Sequence, residues 1–178
     1  STNPYSATKA AGEELCLAYA NTYKIPLFIT HCVNAFGERQ HPEKYIPLVI
    51  NKVLAGETVI IHANSERTRA GSRHYIHARN VAAAVLFLLN KARSRDKYNI
   101  VGEMEVDNLD LANRIAGEVG GDLRFELSDF HSSRPGHDLR YALAGSKMAS
   151  MGWKLPISFD ESLRHTIQWY LKNPRWLN

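Results

Sequence analysis

The sequence predicts an α/β fold with a parallel sheet, and three observations support this. A helical pattern from Tyr5 to about Tyr23 is followed by a short run over 27–32, the helix-then-strand order that such sheets need. That run, Leu-Phe-Ile-Thr-His-Cys, is mostly apolar and is typical of a buried parallel strand. The chain has 178 residues, enough for one domain with a substantial core.

Composition is that of an ordinary globular protein, with 44% hydrophobic and 22% charged residues. No apolar run approaches the roughly 20 residues of a membrane span, and no signal peptide opens the chain. Cys16 and Cys32 are too few for a disulfide scaffold, so we expect a cytoplasmic protein without a membrane partner. The net charge of +4 suits an anionic ligand such as a diphosphate but lacks the basic stripe of a nucleic-acid-binding protein.

The first helix carries the strongest candidate for chemistry. Asn3-Pro4 is typical of a helix start, because proline at the first helical position loses no hydrogen bond. Tyr5 and Lys9 lie four residues apart and project from one face. The ammonium favours the phenolate and would lower the tyrosine pKa from about 10 toward working pH. Tyr-x-x-x-Lys also occurs by chance in many helices, so the spacing alone leaves a purely structural pair open.

The stretch Pro-Tyr-Ser-Ala-Thr-Lys over 4–9 resembles the active-site helix of the extended short-chain dehydrogenase/reductase family, the NAD-dependent nucleotide-sugar epimerases and dehydratases. The resemblance implies that Tyr5 is the acid/base at a sugar hydroxyl. It implies that Lys9 lowers the pKa of Tyr5 and binds the nicotinamide ribose of NAD, so both residues are also cofactor contacts. The family's Gly-x-x-Gly-x-x-Gly turn precedes this motif, whereas this chain starts four residues before the tyrosine.

We therefore expect the carboxyl-terminal half of such an enzyme, with the last part of a Rossmann-type parallel sheet plus a small α/β nucleotide-sugar-binding domain. Residues 1–40 would be the remnant of the Rossmann domain. Residues 41–178 would mostly form the substrate-binding domain, with about 59–101 returning to the Rossmann sheet.

The segment after the first strand is expected to contribute to a site, because ligands of parallel α/β sheets bind beyond the carboxyl ends of the strands. Composition alone favours a solvated connection over 33–47, leading into an amphipathic helix over 46–54. The segment resembles the dehydratase stretch Asn-Asn-Tyr-Gly…Pro-Glu-Lys-Leu-Ile-Pro. This implies that Asn34 binds substrate phosphate and that Lys44 and Tyr45 line the nucleotide site. The family's second asparagine, a cofactor contact, is Ala35 here.

A short strand is expected over 59–62, after a turn at Gly56-Glu57. In the family this strand supports the nucleotide base, so the resemblance makes Ile60, Ile61 and His62 candidate base contacts. The run starting at residue 73 is similar to Arg-Asp-Trp-x-Tyr-Val-x-Asp-x-Ala, whose arginine clamps the diphosphate. A planar fork of donors suits that role, and we assign it to Arg73, with Arg69 as the competitor.

Two further expectations concern this region. His74 and His77 have no carboxylate or cysteine at ligand spacing, so surface or site-wall histidines are favoured over a metal pair and no metal site is expected. The run from Val81 to Leu89 is apolar nearly all round and predicts a buried helix, which Asn80 would cap.

The carboxyl-terminal third continues the alternation. Strands are expected over 97–101 and 123–127, and 102–107 is expected to be a turn. Asn108 would cap a helix over 109–119, and by resemblance it also contacts the nucleotide. A short helix over 147–151 would end at Gly152, and Asp160 would cap the last helix.

Proline and glycine in Arg-Pro-Gly-His-Asp-x-Arg-Tyr, residues 134–141, fix a turn that presents a guanidinium and an imidazole together. The run alone is also compatible with a salt-bridged loop. In the dehydratases it holds the diphosphate and the nucleoside ribose, which gives Arg134 and His137 binding roles.

The resemblance extends over the whole chain and implies a 4,6-dehydratase of nucleotide-diphosphate sugars. Tyr5 as phenolate would take the proton of the sugar 4-hydroxyl while the 4-hydride passes to NAD, before water is lost and C6 is reduced. The family's aspartate/glutamate pair for dehydration lies upstream of the tyrosine, so we expect the chain alone to be inactive. A 4-epimerase, a decarboxylase or a non-catalytic nucleotide-sugar-binding module stays open. We also expect a homodimer through the Tyr5 helix.

Overall fold

The computed structural model describes residues 3–129 and 139–177. Its helices are α1 (Pro4–Tyr23), α2 (Tyr45–Ala55), α3 (Ala78–Lys91), α4 (Asn108–Val119), α5 (Ser146–Ser150) and α6 (Phe159–Lys172), followed by a 3₁₀ turn, Pro174–Trp176. Its strands are β1 (Ile29–Cys32), β2 (Asn34–Phe36), β3 (Thr58–Ala63), β4 (Ser72–His77), β5 (Lys97–Ile100), β6 (Glu105–Asp107), β7 (Arg124–Asp129) and β8 (Arg140–Tyr141). The predicted α/β class is confirmed.

Strand pairing is mostly parallel, as the sequence predicts. β1 pairs with β5, and β3 pairs with β7, both in parallel. β4 lies between β2, which is parallel to it, and β6, which is antiparallel, and β8 adds a short parallel contact. β6 falls within 102–107, so the prediction of a plain turn there is wrong.

Two hydrophobic clusters hold these elements together. The larger one joins α2, β3, α4 and α6, with core residues that include Ile50, Ile61, Ile115 and Ile167. The second one packs α3 and α5 against β4 and β5, around residues such as Leu88 and Tyr98. Each large apolar side chain that is fully buried contributes about 1.5–3 kcal/mol. β3 contributes to the larger cluster and β5 to the second one, while the division at residue 40 and the return of about 59–101 to the Rossmann sheet stay predictions.

The start of α1 matches the prediction, whereas the start of α4 differs by one residue. Asn3 caps α1, and its side-chain oxygen accepts the Ser6 N–H at 2.9 Å. Asp107 caps α4, since its carboxylate accepts the Leu109 N–H at 2.7 Å, so Asn108 is not the cap. Because the cap is Asp107, the Asn108 side chain is available for other contacts.

The caps predicted for α3 and α6 are also wrong. His77 caps α3 by accepting the Arg79 N–H at Nδ1, and Asn80 lies buried within the first turn, donating to the Ile157 carbonyl at 2.8 Å. Ser158 caps α6 in place of Asp160. Each cap is the residue whose extended backbone directly precedes the helix, and side-chain chemistry alone does not locate that boundary to within a residue.

α3 is buried on one side only, which corrects the prediction of a fully buried helix. Ala84 and Leu88 are fully buried, whereas Leu86 is 63% exposed and Leu89 is 66% exposed. α1 likewise exposes Leu15, Tyr19 and Tyr23, and Ala20 is its buried residue. Within the described part of the chain, no helix has both the length and the apolar character to cross a membrane.

Gly102 allows a close approach between the end of β5 and β4. A Cβ at this position would lie 2.0 Å from the Tyr75 carbonyl oxygen. Real side chains do not tolerate such a distance, so glycine is required for Tyr75 to hold its place in β4.

Candidate functional site

One cavity, which we call the central cleft, lies where β2, β3, β4, α2 and the start of α4 meet, and it has a volume of about 490 Å³. Eight of the site residues predicted from the sequence line this cavity, although they are spread along the chain between positions 34 and 108. They are Asn34, Ala35, Lys44, Tyr45, Ile60, His62, Arg73 and Asn108. Tyr75, which the sequence did not single out, also lines it.

Asn108 is held in the cleft by two tyrosines. The Tyr45 hydroxyl donates to the Asn108 carbonyl at 2.6 Å, and the Tyr75 hydroxyl donates to its side-chain Oδ1 at 2.9 Å. Burial raises the pKa of both phenols, so they remain neutral donors at physiological pH. The Tyr45 bond therefore holds the Asn108 backbone, and the Tyr75 bond holds its side-chain amide.

Arg73 is the arginine that lines the cleft, and Arg69 is exposed outside it. Arg73 Nη1 donates to the carbonyls of Ser72 at 2.8 Å and Leu139 at 2.7 Å. Two backbone bonds therefore hold one edge of the guanidinium in place. A planar guanidinium positioned at the cleft in this way is suited in shape and charge to a phosphate.

The amino end of α2 adds positive potential to the same cavity. Lys44 occupies the N-cap position with an extended backbone, and no side chain in the described part of the chain caps the helix. Unpaired N–H groups at a helix start attract anions, and the nearby ammonium reinforces the attraction. Asn34, which also lines the cleft, donates from its amide to the His74 carbonyl at 3.2 Å. Together with Arg73, these groups favour an anionic ligand.

Ile61 is the one predicted base contact that the structure removes from the cleft. Ile61 is fully buried in the larger core, whereas Ile60 is 43% exposed. Both Ile60 and His62 line the cavity. Successive side chains of a strand point to opposite faces, so three consecutive residues of β3 cannot all reach one ligand.

Arg134 and His137 lie outside the described residues, so their binding roles stay predictions.

Tyr5 and Lys9 line a second cavity, which we call the Tyr5 cavity, of about 540 Å³. α1 contributes one wall, where Tyr5, Lys9 and Glu13 recur every four residues. The facing wall is Thr30, His31 and Cys32 of β1, with Tyr141 of β8 at the edge. The structure therefore places the phenol and the ammonium on one face, as predicted, and Ala35 lies in the central cleft instead.

Glu13 and His31 are residues that sequence reasoning missed. Glu13 Oε1 lies 2.7 Å from His31 Nε2, and Glu13 Oε2 accepts from Lys97 Nζ at 2.8 Å. The Lys97 and His31 hydrogen bonds lower the pKa of the Glu13 carboxyl. The spacing of Glu13, four residues after Lys9, indicates that it shares a helix face with Tyr5 and Lys9. Its partners on β1 and β5 are distant in sequence, so the spacing does not predict them.

A buried ion-pair cluster lies at the start of α3, around His77. Glu38 Oε2 is 3.2 Å from His77 Nε2, and Glu38 Oε1 accepts from Arg79 Nη2 at 2.7 Å. Burial lowers the pKa of His77, and Glu38 opposes this only in part. His77 thus acts as a helix cap and a partner of Glu38, and no group of metal-ligating side chains occurs in the described residues.

Comparison with known proteins gives a consistent relationship. The NAD dependent epimerase/dehydratase family matches residues 1–101. The chain is 34% identical to a probable dTDP-glucose 4,6-dehydratase of Sinorhizobium fredii over 98% of this chain and 50% of the relative. It is 36% identical to the dTDP-glucose 4,6-dehydratase of Haemophilus influenzae over 96% of this chain and 52% of that protein. The chain thus spans about half the length of the curated relatives it matches.

Solved structures agree with this relationship. A dTDP-glucose 4,6-dehydratase of Bacillus anthracis in complex with NAD has a TM-score of 0.84 and 32% identity, over 98% of this chain and 54% of that one. A UDP-glucose 4-epimerase of Thermus thermophilus in complex with NAD has the same TM-score, 0.84, at 24% identity, over 96% of this chain and 54% of that one. The second likeness concerns the fold alone.

Proposed function

The chain belongs to the NAD dependent epimerase/dehydratase family, and from this premise we propose that it forms the carboxyl-terminal half of a dTDP-glucose-type 4,6-dehydratase. One observation carries the proposal. The central cleft gathers residues assigned to phosphate, nucleoside and cofactor contacts from five elements into one cavity of nucleotide size. The relatives named dTDP-glucose 4,6-dehydratase support the choice of substrate.

The cleft would bind the diphosphate of a nucleotide sugar at its basic side. Arg73 would contact one phosphate through its guanidinium, whose Nη1 is positioned by the two backbone carbonyls. Lys44 and the amino end of α2 would stabilise the second phosphate, with Asn34, which lines the same cleft, as a further contact. The base would lie between Ile60, His62 and Tyr45, beside the Asn108 amide. Arg134 and His137 would complete the contacts to the diphosphate and ribose.

The Tyr5 cavity fits the nicotinamide end of NAD. Lys9 provides an ammonium on the same face as the Tyr5 phenol, which suits hydrogen bonds to ribose hydroxyls. When bound, NAD would supply the acceptor for the 4-hydride and its return to C6. Tyr5, as phenolate, would take the proton of the 4-hydroxyl, and Lys9 would stabilise the phenolate by its charge. Residues that hold the NAD pyrophosphate would come from outside these 178 residues.

The proposal also covers the oligomeric state, the domain division and the cellular compartment of the protein. A homodimer would form through α1, whose outward face carries Leu15, Tyr19 and Tyr23. Residues 1–40 would belong to the Rossmann domain and most of 41–178 to the substrate domain, with segments over about 59–101 returning to the Rossmann sheet. The protein would act in the cytoplasm on nucleotide-diphosphate sugars, without nucleic acid or membrane partners.

Calorimetric titration of the chain with dTDP-glucose, dTDP, UDP-glucose and NAD tests this function. We expect dTDP compounds to bind and the chain alone to form no 4-keto sugar. Arg73→Ala should weaken dTDP binding roughly 10- to 100-fold, because charge-assisted hydrogen bonds are lost. Arg69→Ala is the matched control and should bind like the wild type.

Other outcomes would contradict the proposal in different ways. A preference for UDP compounds would indicate an epimerase or decarboxylase of the same family. Nucleotide binding that Arg69→Ala weakens more than Arg73→Ala would move the diphosphate out of the cleft. Binding of none of the four compounds would exclude both the enzyme half and the nucleotide-sugar-binding module.

A further inference from the structure

The Tyr5 cavity contains a charge cluster that the proposed chemistry does not use. Glu13 bridges three elements, because its carboxylate contacts His31 on β1 and Lys97 on β5. His31 is fixed from its other side, where Nδ1 lies 3.3 Å from Asn99 Oδ1. Asn99 in turn donates from Nδ2 to the Ala144 carbonyl at 3.0 Å, which orients its oxygen toward His31. Hydrogen bonds therefore hold the cluster at both ends, at Glu13 through Lys97 and at His31 through Asn99.

The same cluster holds α1 in place next to Tyr5. α1 has little apolar contact with the rest of the chain, with Ala20 as its buried residue. Arg95 approaches the Ala20 carbonyl near the end of the helix. Glu13 is the residue of α1 that joins its tyrosine-bearing half to the sheet. Three elements thus meet at one carboxylate, within the cavity that Tyr5 and Lys9 line.

Glu13 and Lys9 are four residues apart on α1, a spacing at which opposite charges on a helix attract each other by about 0.2–0.5 kcal/mol, with the lower end of the range expected when the lysine precedes the glutamate, as here. A Glu13 carboxylate without other partners would therefore compete with Tyr5 for the Lys9 ammonium. In the structure both Glu13 oxygens are taken by His31 and Lys97, and Lys9 makes no ion pair with any described residue. The titratable groups that share the cavity with Tyr5 and Lys9 are Glu13, His31, Cys32 and Tyr141.

We propose that His31 and Lys97 are positioning residues that hold Glu13 away from Lys9 and so reserve the Lys9 ammonium for Tyr5 and the cofactor ribose. The inference rests on the proposed function, since it assumes that Lys9 acts on Tyr5. It assigns to Glu13 the role of an anchor between α1 and the sheet, and it makes the two partners on β1 and β5 necessary for the electrostatics of the cavity.

The experiment uses the full chain with ¹³C-labelled tyrosine and ¹⁵N-labelled lysine, observed by NMR. One readout is the fraction of Tyr5 present as phenolate at about pH 9, where tyrosine begins to ionise. The other is a contact between Lys9 Nζ and the Glu13 carboxyl. His31→Leu and Lys97→Met should each lower the phenolate fraction roughly 1.4- to 2.3-fold, the range that about 0.2–0.5 kcal/mol gives, and create the Lys9–Glu13 contact. Lys97→Arg should restore the wild-type values.

Glu13→Gln provides the matched background. With the carboxylate gone, adding His31→Leu or Lys97→Met should leave Tyr5 and Lys9 unchanged, whereas a merely structural loosening of α1 would persist in this background. Lys97→Met keeps the test valid if His31→Leu fails to fold, because Lys97 is a surface residue. The absence of any Lys9–Glu13 contact in both single variants would overturn the inference.

Lys9→Met separates the two proposals. It should lower the phenolate fraction of Tyr5 if the acid/base pairing holds. No effect of Lys9→Met would contradict the proposed function itself. An effect of Lys9→Met without any effect of His31→Leu and Lys97→Met would leave the proposed function intact and exclude only the positioning role.

Discussion

At the scale of single residues, His77 shows how one side chain can serve two neighbours. Its Nδ1 accepts the Arg79 N–H, so the ring proton of the neutral form lies on Nε2, which faces the Glu38 carboxylate at 3.2 Å. The ring is 4% exposed. Burial lowers the pKa of His77, with a further contribution from Arg79. Protonation would remove the cap of α3, since Nδ1 could then no longer accept.

We predict that His77 makes folding stability fall as the pH falls below about 6.5. The unfolded chain takes up the imidazole proton at higher pH than the folded chain, because the pKa is lowered only in the folded state. His77→Asn keeps a capping side chain but cannot titrate, so its free energy of unfolding should depend less on pH between about 5 and 7. Urea unfolding at several pH values measures this dependence.

The matched control for this prediction is His41→Asn, since the His41 side chain is 64% exposed. It should keep the wild-type pH dependence. The chosen pH range lies above that in which Glu38 loses its charge, because the backbone N–H, His77 and Arg79 together lower the pKa of Glu38 despite its burial. Equal slopes for wild type and His77→Asn would contradict the prediction.

At the scale of elements, the sequence located most helices and strands but not the side chains that start them or the faces they bury. The apolar runs and the turn residues predicted α1, α2, β3 and α6 closely. Caps were missed because Asp107 and Asn108, two good capping residues, are adjacent, and only the backbone decides between them. β6 was missed because its three residues gain their strand conformation from pairing with β4, which is a non-local contact.

Substitution of two glycines, Gly102 and Gly117, should change the stability of the chain in opposite directions. Gly102→Ala should destabilise the chain by at least about 2 kcal/mol, because the new Cβ would meet the Tyr75 carbonyl and push β4 away. Gly117→Ala, within α4, should stabilise it by about 0.5–1 kcal/mol, since Gly117 is exposed and a Cβ there has no atom within 4 Å. Chemical denaturation measures both, and a destabilising Gly117→Ala or a neutral Gly102→Ala would refute the argument.

At the scale of the whole molecule, most of the predicted site residues that the structure describes line one of two cavities, while their binding roles stay predictions. The motif at Tyr5 and the arginine at 73 were found through resemblance, and their side chains line cavities. Periodicity alone would not have selected them. Tyr75, Glu13 and His31 could not be found, because each matters through a partner more than 15 residues away.

We expect the chain to self-associate through α1. Leu15, Tyr19 and Tyr23 are exposed on that helix, and an apolar helix face of this kind is stabilised by a partner. Leu15→Glu combined with Tyr19→Glu should shift the chain to the monomer in light scattering. Leu54→Glu is the control, since Leu54 is exposed on α2 and lies away from α1. A wild-type chain that stays monomeric at working concentrations would contradict the prediction.

The parallel register of β3 and β7 has a consequence for how the protein is made. Thr58 of β3 pairs with Arg124 of β7, and Ile29 of β1 pairs with Lys97 of β5. Neither β1 nor β3 can therefore pair until a distant part of the chain has been synthesised. At about 5–20 residues per second, β3 leaves the ribosome several seconds before its partner. During that interval Val59 and Ile61, which are fully buried in the folded chain, are exposed to solvent. Slow codons or limiting chaperones should therefore lower the soluble yield most when they act between the synthesis of β3 and that of β7.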